Sequence, residues 1–341
     1  MKDYYFYPRK EELIRREVFN FNIQSKPFLI PRKWLKNSYI SFFYKTPKNI
    51  VCPHFWLLKP FIGCPYECSY CYLQGTFFGD KKPKLKDLEK MVKTLKEFFS
   101  WSSSIGINLL LCVGELADCL AIPKWTEIFL EKTIPIMEKY PGNKLLFLSK
   151  AGKDNIYPLL DDDQLKKFLI VSFSVNPQKV VEKFERRTAC LKDRLEAMRM
   201  IQKKGYKIRI RIDPMIPIEN WEFHYSELTK AIFDEFKLKP ERITIGSLRG
   251  LKKTMFYAKD KSWISYLDEK EKTGWGLKIR KDLRISLYAT VLEEIRKHGF
   301  NEHLALCKET PDIWEILAKK NLLPFPGSSP SWENVRCNCK F

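Results

Sequence analysis

Two kinds of hydrophobic pattern alternate through the middle of the chain. Short apolar runs predict six strands at residues 55–62, 107–112, 144–149, 168–175, 207–212 and 243–248. Between most of these runs, apolar residues recur every three or four positions and predict helices at 83–100, 123–139, 154–166, 191–204 and 221–236. Strands joined by helices in this way are typical of a parallel sheet with right-handed crossovers. The pattern therefore predicts an α/β fold, a partial (β/α)6 TIM-like barrel with its chemistry at the carboxyl ends of the strands.

Two regions of different character flank this alternating core. Residues 1–50 are basic and aromatic without regular periodicity, and we expect an amino-terminal extension there. Beyond residue 250 the chain predicts a basic hairpin or loop at 249–284, helices at 284–298 and 311–320, and a tail that contains cysteine. We therefore expect three parts: residues 1–50, a barrel at 51–250, and a carboxyl-terminal extension at 251–341.

The charge of the chain favours a polyanionic partner. The 341 residues carry a net charge of +20 with a pI near 9.4. Nucleic acid is the first candidate and an anionic membrane surface the second, while a merely solvated lysine-rich surface is the alternative. The amino terminus has no apolar signal core, and no apolar run is long enough to span a membrane. Ten cysteines in such a chain fit a reducing, cytoplasmic location.

Two stretches interleave cations with aromatic side chains, as grooves for nucleic acid do. The first contains Arg9, Lys10, Arg15, Arg16, Lys26, Arg32, Lys33 and Lys36. Its aromatic residues can instead pack on the barrel. The second is the 249–284 segment, in which the best candidates for nucleic-acid contact are Arg249, Lys252, Lys253 and Tyr257. A solvated surface excursion is the alternative there.

Three cysteines, Cys64, Cys68 and Cys71, lie within eight residues at the spacing C-x3-C-x2-C. Thiolates are soft ligands, and three on one loop can converge on one inorganic centre. Structural zinc normally takes four protein ligands, and an iron–sulfur cubane that only carries electrons takes four cysteines. Three therefore favour a [4Fe-4S] cluster with one iron open to a substrate or cofactor. Three structural cysteines that merely lie close together are the alternative.

This loop resembles the signature of the radical S-adenosylmethionine (radical SAM) enzymes. The longer string Gly-Cys-x3-Cys-x-Tyr-Cys-Tyr-Leu-Gln, ending at Gln74, resembles more narrowly the spore photoproduct lyase family. The resemblance covers about residues 55–260. It implies that Cys64, Cys68 and Cys71 hold a [4Fe-4S] cluster whose open iron chelates SAM. It also implies cleavage of SAM to a 5′-deoxyadenosyl radical, with an electron from a donor such as a flavodoxin or ferredoxin.

The end of the second predicted strand matches a further family element, Cys112-Val-Gly114-Glu115. A carboxylate there can accept hydrogen bonds from the SAM ammonium, and a glycine permits close approach of the ligand. The resemblance implies that Gly114 and Glu115 bind the SAM amine and that Cys112 donates a hydrogen atom to a substrate radical. Cys119 is a competing donor, and a small buried apolar role is the alternative for Cys112.

The remaining site candidates also adjoin the cysteine loop or the strand ends. The resemblance makes Tyr70 and Tyr72 relays that return the radical to SAM, whereas packing is the alternative. Lys150 is placed to pair with the SAM carboxylate. The other predicted SAM contacts are Ser174, Asn176, Asp213 and Met215.

The carboxyl-terminal region departs from the pattern that the loop resembles. His303, Cys307, Cys337 and Cys339 include an H-x3-C spacing and predict a possible second metal or cluster site. Free thiols on a frayed tail are the alternative. This departure leaves the exact substrate open.

The resemblance to the spore photoproduct lyase family implies a radical SAM lyase that reverses a spore-photoproduct-type thymine dimer in DNA, with a cysteine as hydrogen donor. One alternative keeps the cofactor and changes the substrate to another base, RNA or a peptide. Another is a non-catalytic, metal-stabilised nucleic-acid-binding protein. Glu115 and Lys150 at strand ends argue against the last, because a structural metal does not need a pocket.

Overall fold

The computed structural model of the protein describes residues 4–7, 28–47, 49–301, 303–326, 332 and 335–341. Several predicted nucleic-acid contacts of the amino-terminal extension lie outside the described residues: Arg9, Lys10, Arg15, Arg16 and Lys26. Within the described ranges, no helix combines the length and the apolar character needed to cross a bilayer.

An eight-stranded sheet organises the structure. Its strands are β1 (Ile40–Phe43), β2 (Phe55–Leu58), β3 (Leu110–Cys112), β4 (Lys144–Ser149), β5 (Leu169–Ser174), β6 (Lys207–Met215), β7 (Arg242–Ser247) and β8 (Leu304–Leu306). Each strand pairs with its neighbour in this sequence, from β1 at one edge to β8 at the other. Strands β2 to β8 are parallel, and β1 is antiparallel to β2. The prediction of an α/β fold with a mostly parallel sheet is confirmed.

The six predicted strands correspond to β2 through β7, and the pattern missed β1 and β8. The residues of β1 lie in a stretch without clear periodicity. The three residues of β8 are too few to show a period. Because β8 pairs with β7, the region beyond residue 250 contributes to the same sheet as the predicted barrel.

Nine helices accompany the sheet in the described part of the chain. They are α1 (Leu73–Thr76), α2 (Leu88–Ser104), α3 (Pro123–Lys139), α4 (Gln178–Phe184), α5 (Leu191–Lys203), α6 (Trp221–Lys230), α7 (Lys252–Tyr257), α8 (Lys281–Lys297) and α9 (Pro311–Lys319). A π-helical turn, Ala231–Glu235, continues α6. Short 3-10 turns span Arg32–Trp34, Lys153–Asn155, Tyr157–Leu159, Leu165–Lys167 and Ser262–Tyr266.

Two predicted helices differ from the observed ones, and side-chain capping explains the first difference. The helix predicted from residue 83 begins at Leu88, because the Asp87 carboxylate caps it by accepting from the Lys90 amide at 3.1 Å. The preceding Lys84–Leu85 pairs as a strand with Phe61–Ile62. The helix predicted at 154–166 is replaced by separate 3-10 turns.

The remaining strands are short and lie outside the main sheet. Tyr4–Tyr7 pairs with Phe28–Pro31, and Glu67–Cys68 pairs with Glu185–Arg186. Asp268–Thr273 and Gly276–Lys278 form a hairpin, and Arg249–Gly250 adds a third strand to it. The hairpin predicted in the 249–284 segment is therefore present, together with α7.

Alternate residues of the strands face different surroundings. On β6, Ile208, Ile210 and Ile212 belong to the large hydrophobic core, whereas Arg209 and Arg211 face the opposite side. The Arg209 guanidinium donates to the backbone carbonyl of Asn338 at 2.6 Å. The carboxyl-terminal tail therefore covers the side of β6 that faces away from the large core.

Candidate active site at the carboxyl ends of the strands

A cavity of about 430 Å³ lies where the parallel strands end. Its lining brings together residues that are far apart in the sequence, from the cysteine loop, from the ends of β3, β4 and β6, and from the hairpin segment. Of the predicted site residues, the lining includes Cys64, Cys68, Cys71, Tyr70, Tyr72, Gly114, Glu115, Lys150, Ser174, Asp213 and Arg249. A pocket of this size is ample for a cofactor and part of a substrate.

Backbone contacts hold the cysteine loop against the cavity wall. Gly63 has a φ of 77°, and a Cβ there would lie 2.2 Å from the Lys82 carbonyl oxygen, so only glycine fits. The Cys64 amide donates a hydrogen bond to the Lys81 carbonyl at 2.8 Å, and the Lys81 ammonium donates one to the Cys64 carbonyl at 3.1 Å. Burial raises the pKa of the Cys68 thiol to about 12. A metal would therefore have to displace thiol protons on binding.

The donor set of this loop fits a multinuclear cluster. Cys64, Cys68 and Cys71 are free cysteines that line one cavity. No group of three His, Cys, Asp or Glu side chains in the described ranges is arranged to hold a single metal ion. Three thiols that line one cavity suit an iron–sulfur group with one open iron, whereas a structural zinc ion normally takes four protein ligands.

A buried carboxylate that the sequence reading missed, Glu185, organises one side of the cavity. Its Oε1 accepts from the Lys150 ammonium at 2.7 Å and from the Asn176 amide at 3.0 Å, and also from the Tyr70 hydroxyl. Its Oε2 lies 2.7 Å from the Arg194 guanidinium. Burial alone would raise the pKa of Glu185, but the charges of Lys150 and Arg194 outweigh it and hold this pKa well below its usual range.

The two predicted relay tyrosines differ in their contacts: Tyr70 contacts Glu185, and Tyr72 is more exposed. The Tyr70 hydroxyl is held between Glu185 and the Lys150 ammonium, which lies 2.8 Å away. Tyr72 also lines the cavity, and 39% of its surface is exposed. Tyr72 is therefore the tyrosine with the freer access to a bound molecule.

Asp118 is a second carboxylate that the sequence reading missed. It lines the cavity and accepts from the Ser149 hydroxyl at 2.6 Å and from the Lys150 amide at 2.7 Å. Burial raises the pKa of Asp118. These bonds fix the end of β4, and with it the start of the Lys150 side chain. The three residues between Glu115 and Cys119 show no pattern that marks one of them as functional.

A second charged cluster also lines the cavity and is formed by Glu115, Arg211, Asp213 and Arg249. The Arg211 guanidinium donates to Glu115 at 3.4 Å and to Asp213 at 2.9 Å, and Arg249 donates to Asp213 at 2.6 Å. Burial alone would raise the pKa of Asp213, yet the Arg249 and Arg211 charges hold it well below its usual range. Asp213 is thus an ionised partner of two arginines, while Glu115 accepts one long hydrogen bond from Arg211.

Cys112 lies one layer beneath the cavity. The side chain is 2% exposed and packs in a small apolar cluster with Phe55, which lines the cavity. From below it meets the tail, since its thiol lies 3.9 Å from the Cys339 carbonyl oxygen. The competing candidate Cys119 is buried in the large core and does not line the cavity.

The other predicted SAM contacts are placed differently from one another. Ser174 lines the cavity, but its hydroxyl also reaches the Asp213 carbonyl at 3.4 Å. Asn176 lies behind the cavity, bonded to Glu185. Met215 is fully buried in the large core and is not part of the lining.

The predicted second metal site is not assembled in the described part of the chain. His303 precedes β8 and Cys307 follows it, so the strand separates the two side chains. Cys307, Cys337 and Cys339 line a narrow cavity of about 20 Å³, and His303 does not. The H-x3-C spacing suggested a ligand pair. The residues between His303 and Cys307 form an extended strand, which rises about 3.3 Å per residue and therefore carries the two residues apart.

The predicted nucleic-acid contacts of the 249–284 segment divide into buried and exposed residues. Arg249 is held by Asp213 inside the cavity wall. Lys252 and Lys253 are exposed on α7, where the Lys253 ammonium lies 4.8 Å from the centre of the Phe78 ring.

The fold and site together define a parallel α/β protein with a three-cysteine loop at the carboxyl ends of its strands. A sequence profile of the spore photoproduct lyase family matches residues 58–247. The chain belongs to that family.

Individual relatives agree with this assignment. A spore photoproduct lyase of Clostridium acetobutylicum is 28% identical over 190 residues, which are 53% of this chain and 55% of that protein. The Bacillus subtilis spore photoproduct lyase is 27% identical over 253 residues, 71% of this chain and 69% of that protein. The chain spans about half the length of two of the three curated relatives that it matches.

Solved structures show the same fold. A spore photoproduct lyase complexed with dinucleoside spore photoproduct superposes with a TM-score of 0.60 at 22% identity, covering 72% of this chain and 74% of that one. A double mutant of such a lyase, with bound AdoMet and dinucleoside spore photoproduct, gives a TM-score of 0.59 at 20% identity, covering 74% and 75%.

Proposed function

We propose that this protein is a radical SAM lyase that repairs a spore-photoproduct-type thymine lesion in DNA. The observation that carries the proposal is the meeting of three free thiols and two charged clusters, around Glu185 and around Asp213, in one cavity. The relatives in the family are spore photoproduct lyases, and one solved relative holds the dinucleoside lesion.

Cys64, Cys68 and Cys71 would hold a [4Fe-4S] cluster and leave one iron for SAM. When bound, this pair supplies an electron transfer that cleaves SAM to a 5′-deoxyadenosyl radical. Glu115 is suited to accept hydrogen bonds from the SAM ammonium, because its one hydrogen bond to Arg211, at 3.4 Å, is weak. Lys150 is suited to the SAM carboxylate, with Glu185 and Asp118 fixing its position.

Cys112 would end the reaction on the substrate. Its S–H bond breaks and a C–H bond forms at the product radical, which leaves a thiyl radical on Cys112. The burial of Cys112 keeps water away from this step. Tyr72, which reaches the cavity, is better placed than Tyr70 to relay the radical back.

The test uses cluster-reconstituted protein under anaerobic conditions with SAM, a reductant and dinucleoside spore photoproduct. Mass spectrometry should detect free thymidylyl-thymidine. Cys112→Ala should lose this product or divert it to adducts. Cys119→Ala is the matched control and should retain it, because Cys119 is buried in the large core, whereas Cys112 packs with Phe55 of the cavity lining.

Two other results would redirect the proposal. Accumulation of 5′-deoxyadenosine without thymidylyl-thymidine would mean that the substrate is another base, RNA or a peptide. Absence of both products from protein with a verified cluster would contradict a radical SAM activity.

A further inference from the structure

Three aromatic rings lie together on the surface beside the cavity: Phe78, Phe256 and Tyr257, hereafter the rim cluster. Phe78 and Phe256 are 62% and 71% exposed, the two highest values for large hydrophobic side chains among the described residues. The Tyr257 ring centre lies 5.7 Å from that of Phe78 and 4.9 Å from that of Phe256. Adjacent exposed rings leave apolar surface in water, which commonly marks a binding surface.

The rim cluster is tied to the cysteine loop. Phe78 follows α1, whose Thr76 lines the cavity, and Phe256 and Tyr257 end α7. The two helices pack so closely that a Cβ on Gly75 would lie 2.6 Å from the Thr254 nitrogen. The rings therefore adjoin α1, a helix that contributes Thr76 to the cavity wall.

The backbone presents Phe78 outward at a conformational cost. Its φ is 52°, in the left-handed region that non-glycine residues seldom adopt. Gly79 follows with a φ of 90° and completes the turn. Strain of this kind, at an exposed aromatic residue beside a cavity, is typical of positions that serve binding.

The charged side chains around the rings are lysines that can contact phosphate groups. The Lys253 ammonium lies over the Phe78 ring, and Lys252 and Lys259 are exposed nearby. None of these lysines forms an ion pair with a carboxylate in the described ranges. Flat apolar faces beside unpaired cations suit single-stranded nucleic acid, whose bases stack while its phosphates pair with charge.

We propose that the rim cluster stacks on bases of the DNA strand that flank the lesion, while Lys252 and Lys253 contact the adjoining phosphates. This inference rests on the proposed function, in which the lesion enters the cavity. It assigns the rings to the strand outside the cavity, so their contribution depends on the length of the substrate.

The test compares the lesion in two settings, as a dinucleoside and at the centre of a single strand of about 12 nucleotides. Phe78→Ala and Phe256→Ala should each lower kcat/KM for the oligonucleotide by about tenfold, the size expected for losing one stacked base. The dinucleoside should be repaired at the wild-type rate. Phe223→Ala is the matched control, because this phenylalanine is 61% exposed on α6 and does not line the cavity.

Two further variants identify stacking as the cause. Phe256→Leu keeps apolar bulk without an aromatic face and should behave like Phe256→Ala, whereas Phe256→Trp should retain repair of the oligonucleotide. Circular dichroism and iron content would verify that each variant is folded and loaded.

Several results would overturn the inference. One is a Phe78→Ala/Phe256→Ala double variant that repairs the oligonucleotide as well as wild type does. Another is a double variant that binds oligonucleotide normally but is reduced more slowly by an acidic flavodoxin, since the rim cluster would then dock a protein. Failure of wild type on the dinucleoside would instead contradict the proposed function. Fluorescence anisotropy with an unmodified oligonucleotide would still test the rim cluster in that case.

Discussion

The thiol of Cys112 lies 3.9 Å from the carbonyl oxygen of Cys339, although 227 positions separate the two residues in the chain. The tail reaches this place because two buried arginines bind its backbone. Arg209 donates to the Asn338 carbonyl at 2.6 Å, and Arg242 donates to the Lys340 carbonyl at 2.9 Å. The carboxyl-terminal tail therefore covers the proposed hydrogen donor from below.

Deleting residues 337–341 should expose Cys112. We expect iodoacetamide to modify Cys112 at least about tenfold faster in the truncated protein, because thiol reactivity depends on access. Peptide mapping by mass spectrometry would measure the rates. Cys119, in the large core, should stay protected in both proteins and serves as the internal control. Equal protection of Cys112 in a folded truncated protein would contradict the covering role.

Iron content should depend on the cysteine loop and not on the tail. Cys68→Ala should lose most of the iron, about four atoms per chain in the loaded wild type. A Cys337→Ala/Cys339→Ala double variant should bind as much iron as wild type does, because Cys337 and Cys339 line a cavity of only about 20 Å³, whereas the cysteine loop lines one of about 430 Å³. A fall in iron content for the double variant would instead indicate that the tail cysteines hold a second cluster.

Glu185→Gln should destabilise the protein by about 3–5 kcal/mol, since it leaves the buried charges of Lys150 and Arg194 without their partner. Urea unfolding would measure the loss. Glu182→Gln is the matched control, because Glu182 is exposed and lies 3.8 Å from the exposed Lys179 ammonium. That change should cost no more than about 0.5 kcal/mol.

The stabilising effect of Glu185 should disappear in acid. The pKa of Glu185 in the folded state lies below its ordinary value of 4.5. The stabilisation is therefore complete above that pH and is lost as the pH falls from there towards the folded-state pKa. The difference in urea midpoint between wild type and Glu185→Gln should be constant from about pH 7 to pH 5 and shrink below that range. A difference that grows in acid would show that this carboxyl is not held ionised.

Lysines on α7 and the neighbouring arginine should affect DNA binding differently. Lys252→Ala and Lys253→Ala should each lower the salt dependence of oligonucleotide binding by about one unit of slope, as expected for lost phosphate contacts. Arg249→Ala should leave the slope unchanged and reduce stability, because the Arg249 side chain is 16% exposed and pairs with Asp213. Anisotropy titrations at several salt concentrations would measure the slopes. An equal decrease in the salt dependence of binding for Arg249→Ala would indicate that this arginine contacts a phosphate of the DNA.

The predictions that succeeded from sequence alone rest on local patterns. The apolar runs placed β2 to β7 in order, because burial on both faces of a parallel strand leaves a signal within a few residues. The end of α5 was predicted from Gly205, which adopts a φ of 87° just past the helix. The cysteine loop was recognised because its three cysteines lie within eight residues of one another.

Only the tertiary structure decided which distant side chains share the site. Glu185 contacts Tyr70, although 115 positions separate them in the chain. No periodic pattern in the sequence indicates that this carboxylate will be buried between the cations of Lys150 and Arg194. The sequence determined β2 to β7 and the cysteine loop, because spacing along the chain controls both. The structure decided that Arg249 is internal, that His303 and Cys307 are separated, and that the tail lies under Cys112, because these outcomes depend on how the strands pack in three dimensions.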